Sequence, residues 1–322
     1  MRFSKPGVFT VIVFAMASMN VAYAQTYPSK SVEFVVHTSA GGGSDLFARL
    51  VADIINREKM VPHPVVVVNK SGGAGAVAVN YVAERKDSHV IFTAPSATFV
   101  GVFLKAKVQA TRQDFVPLAM LGQDVQVFAV QASSPYRGIK DLVAAAKEKP
   151  KKVTVGFGTI GATGHLIAFV FAQKAGIEFN YLSHKSGGDA VISLLGGRVD
   201  LCTENPSEMI QHVRAKKLRL IAIGSPERHP ALPDVPTLKE SGYFADISTA
   251  RGFTAFKGLP DESVNYWVSV LKRVYGNETY QNYLKENMMG SIFLSGSEYA
   301  KFLDAKHQVL YPAFKDLGLL RK

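Results

Sequence analysis

Three short stretches of this sequence gather glycines with hydroxyl or acidic residues at spacings that can hold an anion. They are "SAGGGSD" at 39–45, "KSGGAGAVA" at 70–78 and "GFGTIGATGH" at 156–165. Each follows a run that reads as a strand and precedes one that reads as a helix. A glycine loop in that setting leaves free backbone N–H groups at the start of the helix, where the helix dipole adds partial positive charge. Without a Cβ it also lets a ligand come close to the main chain. A carboxylate or phosphate can be held there with no lysine or arginine in contact. Thr159 and Thr163 add hydroxyl donors to the third loop, and Ser44 and Asp45 stand where they can cap the helix after the first. For one loop alone, a tight turn with capping residues is explanation enough. Two such loops, one early in each of two α/β cycles, are better explained as a two-sided anion clamp.

Other chemistries find thinner support. The third loop contains G-x-G-x-x-G at Gly156, Gly158 and Gly161, with Glu178 downstream where a dinucleotide fold has its ribose-binding acid. Three competing glycine turns show how cheaply that pattern arises, and no G-K-[ST] follows any of them. There is no H-E-x-x-H, C-x-x-C or H-x-H, and the eight histidines are scattered, so neither a metal nor a cofactor is expected. A nucleophile elbow fails because Gly42-Gly43-Ser44-Asp45 is followed by Leu46. A serine and histidine brought together in space would make an exported hydrolase, the alternative to a binding protein. The single cysteine, Cys202, lies in the apolar context "VDLCTE" and reads as a small buried hydrophobe.

The elements that must position these loops alternate. Strands are expected at 32–36, 65–69 and 89–94, with a helix over 45–58 that carries Leu46, Leu50 and Ile54 on one face and Phe47, Val51 and Ile55 beside it. A second cycle runs through strands at 125–131, 152–158, 178–184, 199–204 and 218–225, separated by helices at 139–149, 165–176, 188–195 and from Pro206. This order predicts parallel sheets with crossover helices. The run "VVVVN" at 65–69 reads as a buried strand, and 94–104 as a loop. The proline-bearing segment 229–243 reads as a surface connection into a short helix, a strand returns at 251–258, and the tail from Asp261 is helical.

The N-terminus addresses the compartment. Arg2 and Lys5, an apolar run from Val8 to Ala17, and Ala22-Tyr23-Ala24 before Gln25 form the three-part layout of a signal peptide at 1–24. Its apolar part is short for a membrane span. The mature protein is expected in the periplasm, long enough for two domains. Losing Arg2 and Lys5 lowers the formal charge from +11 to about +9. The basic residues are dispersed, with no stripe interleaved with aromatics, which argues against nucleic acid.

Longer blocks carry a resemblance. "YPSKSVEFVVHTSAGGGSDLFARLVADII", "VVVVNKSGGAGAVAVNYVA", "GFGTIGATGHL", "SHKSGGDAVISLLGGRVDL" and "RHPALPDVPTLKESG" occur in order along the mature chain. Together they resemble the substrate-binding proteins of tripartite tricarboxylate transporters, the Bug-type extracytoplasmic receptors. The block from Ala231 to Thr237 is the most specific. His37 departs from the proline usual in that family, and His184 from a tyrosine.

The resemblance implies a two-lobed α/β periplasmic binding protein of type II-like form, with a ligand cleft between lobes joined by two crossover strands. One lobe is expected at 25–128 plus 250–322 and the other at 129–249, with crossings at "QDVQVFAVQ" and "ISTARGFTAF". It further implies a monomer that binds a small organic carboxylate and docks on membrane transporter subunits. Carried over by position, the ligand-binding residues are Thr38, Ser39, Ala40, Gly42, Ser44 and Asp45 from the first lobe. Gly158, Thr159, Thr163 and His165 are their counterparts in the second. Ser96 and Thr98 are expected at the end of a first-lobe strand, and Glu204 and Asn205 at the end of a second-lobe strand, both reaching the cleft.

Overall fold

The computed structural model describes residues 27–41, 43–243 and 247–321, so the expected signal peptide and the candidate Gly42 lie outside the described residues. The chain opens with β1 (Val32–Val36), α1 (Gly43–Arg57), β2 (Val65–Asn69), α2 (Ala76–Arg85), β3 (Val90–Pro95), α3 (Ser96–Lys105) and β4 (Phe115–Asp124). It continues through β5 (Val127–Gln131), α4 (Ile139–Glu148), β6 (Thr154–Phe157), α5 (Thr163–Ala175), β7 (Asn180–Ser183), α6 (Gly187–Leu195), β8 (Leu201–Glu204), α7 (Pro206–Arg214) and β9 (Leu218–Ile223). It then returns through β10 (Thr249–Phe256), α8 (Asp261–Tyr275), α9 (Glu278–Glu286), β11 (Leu294–Ser295) and α10 (Gly296–Asp316).

Two sheets form two α/β lobes. The first has strand order β11-β4-β10-β3-β1-β2 and the second β7-β6-β8-β5-β9. The strands that open each cycle pair in parallel, β1 with β2 and β3, and β6 with β7 and β8. The expected wholly parallel sheets give way to mixed ones. β10 runs antiparallel to both β3 and β4, and β5 antiparallel to β8 and β9. The reason is topological: β4 carries the chain out of the first sheet, β10 carries it back, and two strands lying side by side on opposite journeys must oppose each other.

Four local expectations are also corrected. β2 is an edge strand, so its apolar run is only partly covered, and Val66 is exposed. On α1 the buried stripe is Phe47, Val51, Ile54 and Ile55, while Leu46 is 54% exposed beside the glycine loop. Segment 94–104 is largely helix. Its Gly101 weakens the helical signal, yet a Cβ there would sit 3.0 Å from Phe314 Cζ, so close packing of α10 requires the glycine. The 229–243 connection forms turns and no helix.

The first sheet is covered on one face by α1 and α8, which bury Phe34, Phe47, Phe253 and Trp267 together. Its other face holds Phe92, Phe99, Phe115 and Tyr299. The second sheet's main core is not made by its own lobe alone. Phe128, Leu166 and Phe171 pack in one cluster with Ala97 and Val100 of α3 and with Leu310, Ala313 and Phe314 of α10. The C-terminal helix thus returns to the first lobe and ends against the second, where Gln173 donates to Asp316 over 3.1 Å.

Candidate functional site

The first glycine loop joins β1 to α1, and Asp45 fixes its shape. This carboxylate is 1% exposed, and its Oδ2 accepts from the Gly41 N–H at 2.8 Å and from Arg49 Nε at 2.9 Å. Its Oδ1 accepts from Asn69 Nδ2 at 2.9 Å, and the same amide nitrogen donates to the Thr38 carbonyl. Burial pushes the Asp45 carboxyl upward, but the bonds from Arg49, Gly41 and Asn69 outweigh it and hold the group below the ordinary range. Asp45 therefore binds its own loop. Ser44 is buried in the first turn of the helix, while Ser39 and Ala40 are exposed on the loop's surface. Thr38 Oγ1 and His37 Nδ1 are buried with no partner.

Two cations border this loop. Arg251 of β10 donates through Nε to Asp124 Oδ2 at 2.6 Å and forms an ion pair with it. Its guanidinium lies against the start of α1, where a Cβ on Gly43 would be 3.3 Å from Nη2. Lys105, at the end of α3, reaches the third glycine loop, where a Cβ on Gly161 would be 3.0 Å from Nζ. Burial, and then the charges of Arg251 and Lys105, lower His37 to about 4, so the ring is neutral near pH 7.

In the second lobe the loop between β6 and α5 is held from within. Gly158 N–H donates to Glu204 Oε1 at 2.6 Å, and Gly161 N–H to His165 Nδ1 at 3.0 Å. The His165 ring stacks on Phe157 at 4.4 Å, and burial followed by the Lys105 charge lowers it to about 4. Thr159 is exposed at the loop tip. Thr163 accepts a hydrogen bond from Thr249 at 3.0 Å, linking this loop to the returning strand. α5 begins so close to β8 that a Cβ on Gly164 would lie 2.1 Å from the Thr203 carbonyl.

Glu204, ending β8, and Glu208, in the first turn of α7, form a buried pair. Burial, and then the neighbouring Glu208, push Glu204 well above the ordinary carboxylate range. Burial raises Glu208 as well. Asn205 donates instead to the Val125 carbonyl at 3.3 Å and so anchors α7 to the outgoing crossing.

Ser96 and Thr98 do not end a strand. Pro95 closes β3, and both residues fall in the first turn of α3. Ser96 is fully buried and accepts from the Ala250 N–H at 2.9 Å, and the Thr98 methyl lies near Gly75. The groups that stand against the glycine-bearing helix starts are instead Arg251 at Gly43, Lys105 at Gly161 and Glu208 at Gly187, with His37 just before the first loop, none of them a sequence-derived ligand residue. Of these only His37, a departure within a recognised block, carried a signal. Among the described residues no cluster of three His, Cys, Asp or Glu is arranged to hold a metal ion. A separate surface groove of about 540 Å³ lies between α7 and α9, lined by residues including Ile210, Leu232 and Met288, away from these groups. No helix among the described residues is long and apolar enough to cross a membrane.

Comparison with known proteins bears on what such an arrangement serves. A family profile described as the tripartite tricarboxylate transporter family receptor matches residues 47–319. Protein BugT of Bordetella pertussis (strain Tohama I) is 30% identical over 224 residues, 68% of this chain and 68% of that protein. A solved TctC solute-binding protein from Polaromonas, without ligand, is 28% identical with a TM-score of 0.73, over 90% of this chain and 100% of that one. Another structure, described as a periplasmic transporter, is 25% identical with a TM-score of 0.81, over 91% and 99% of the two chains.

Proposed function

Since the chain belongs to the tripartite tricarboxylate transporter receptor family, and is a periplasmic solute-binding receptor rather than an enzyme, we propose that it captures a small organic carboxylate between its lobes and delivers it to a transporter of that class. Its export rests on the signal peptide at 1–24. The lobes are residues 25–128 with 250–322, and 129–249, and the receptor works as a monomer. The assignment of the sheets supports this division, since β1 to β4 and β10 share one sheet and β5 to β9 the other.

The observation that carries the reading is a pair of buried polar atoms without protein partners at the β1–α1 loop. His37 Nδ1 and Thr38 Oγ1 are buried without partners beside the start of α1, between the cations Arg251 and Lys105. Buried polar groups left unsatisfied are costly, and an anion at a helix N-terminus would satisfy them. Capture is then a shift of an open–closed equilibrium toward the form in which both lobes touch the ligand. The Thr163–Thr249 bond and the Lys105 approach to Gly161 are contacts suited to that form.

The test is a thermal-shift panel of mono-, di- and tricarboxylates, aromatic acids and amino acids on the mature protein. A ligand at about 100 times its Kd stabilises by about 2.7 kcal/mol. At least one carboxylate is expected to raise the midpoint, and Thr38→Val to weaken that shift. A panel in which no carboxylate moves the midpoint would refute the reading.

A further inference from the structure

The second-lobe end of the cleft is already supplied with a carboxylate of its own. The Gly158 N–H, which a ligand anion would need, is taken by Glu204 Oε1 at 2.6 Å. Glu208 is its neighbour, and burial followed by that second carboxylate pushes Glu204 well above the ordinary range. The Glu208 Oε2 oxygen is buried and has no partner. It lies against bare backbone, since a Cβ on Gly187 would stand 2.3 Å from it, and that glycine gives it room at the start of α6. Glu208 stands with the second-lobe glycine loop and the start of α6, since a Cβ on Gly158 would lie 3.0 Å from the Gly187 nitrogen and 3.3 Å from Glu204 Oε1, and the Arg251 and Asp124 charges of the first lobe act on it as well.

The two ends of the gap therefore differ in kind. The first-lobe end offers cations, a helix N-terminus and two unpartnered polar atoms, the His37 nitrogen and the Thr38 hydroxyl. The second-lobe end offers an acceptor that lacks a donor. A symmetric dicarboxylate would satisfy the first and set its second charge against Glu208, where like charges disfavour each other. A molecule with an anion at one end and a donor at the other satisfies both.

We infer that the ligand is bipolar, a carboxylic acid carrying an ammonium or N–H group at its far end, and that Glu208 is the residue that selects it over dicarboxylates. This deepens the carboxylate-receptor reading and rests on it. No side chain other than Glu208 offers an unpartnered buried carboxylate oxygen among the described residues. The same charge that attracts the donor also repels the wrong acid, so selection works in both directions.

The experiment is isothermal titration calorimetry of the mature protein with matched probes: β-alanine against succinate, 4-aminobutyrate against glutarate, and 4-(aminomethyl)benzoate against terephthalate. In the best-binding pair the amino-bearing acid is expected to bind at least about tenfold tighter, a difference of about 1.4 kcal/mol. Glu208→Gln should remove most of that preference by weakening the amino acid and strengthening the dicarboxylate. Glu208→Asp, which keeps the charge but withdraws it, should leave a preference in the same direction. Circular dichroism checks that each variant is folded. A dicarboxylate that binds as tightly as its partner, or a preference that survives Glu208→Gln, would overturn the inference and leave the receptor reading intact. If no probe and no other carboxylate binds the folded chain, both fall.

Discussion

His37 belongs to the first-lobe loop and His165 to the second-lobe loop, and both are held neutral by burial and then by nearby cations, Lys105 acting on each. Each falls from 6.5 to about 4 in the folded chain. The sign of the effect follows from which state binds the proton. Above pH 6.5 neither state is protonated, so nothing is lost. Between about pH 6.5 and pH 4 the unfolded chain takes up protons that the folded chain refuses, and stability declines as pH falls. At full strength the loss is on the order of 3 kcal/mol, and it is smaller for His37, which is only half-buried. Urea denaturation at a series of pH values should therefore show His37→Asn gaining on the wild type across that window. Glu204 and Glu208 act in the opposite sense: their raised values mean stability is lost as pH rises through them. These residues also mark the limit of what the chain discloses in one dimension. Thr38 and Thr163 were legible because each lies in a block with a recognisable loop, and Glu204 because it ends the strand-like run "VDLCTE". Arg251 and Asp124 were not, since an ion pair spanning 127 residues leaves no local trace.

At the scale of elements, the second-lobe loop depends on how closely α5 starts against β8. A Cβ on Gly164 would meet the Thr203 carbonyl at 2.1 Å, and backbone cannot step aside as a side-chain tip can. Gly164→Ala is expected to lower stability by about 1–3 kcal/mol or more, through forced backbone shifts. Gly188→Ala is the paired control at the start of α6, where the nearest atom is Ser186 Oγ at 3.8 Å. That change should be neutral or stabilising by up to about 1 kcal/mol, because alanine favours the helix. Chemical denaturation of both variants checks the contrast. The strand–glycine loop–helix units were readable because each packs apolar periodicity and a glycine run into a few residues. α3 and β4 were not. α3 carries Gly101 for the sake of Phe314, more than two hundred positions away, and β4 interrupts its apolar run with Pro117, Gly122 and Gln123. What makes those segments ordered is tertiary packing, and that is written elsewhere in the chain.

Taken as a whole, the molecule is two sheets bound by two crossings and one helix. Outward, β4 passes to β5 through Val125 and Gln126, and inward the chain reaches β10 through Ser248. The Lys306 ammonium of α10 donates to Ser248 Oγ at 2.6 Å, and Gln123 Nε2 to the same oxygen at 2.5 Å, so the last helix also grips the crossings. Phe314 is fully buried within the cluster that α3 and α10 share with the second sheet. Phe314→Ala should cost about 3–5 kcal/mol, read from the urea midpoint, as for other large core truncations. That jointly owned cluster has a further thermal consequence. Neither sheet can melt while leaving the other with its apolar interior complete. A scanning calorimeter should record one endotherm, with the van't Hoff enthalpy matching the calorimetric one. In Phe314→Ala the trace should broaden or split, because the two halves would then take up heat on separate schedules.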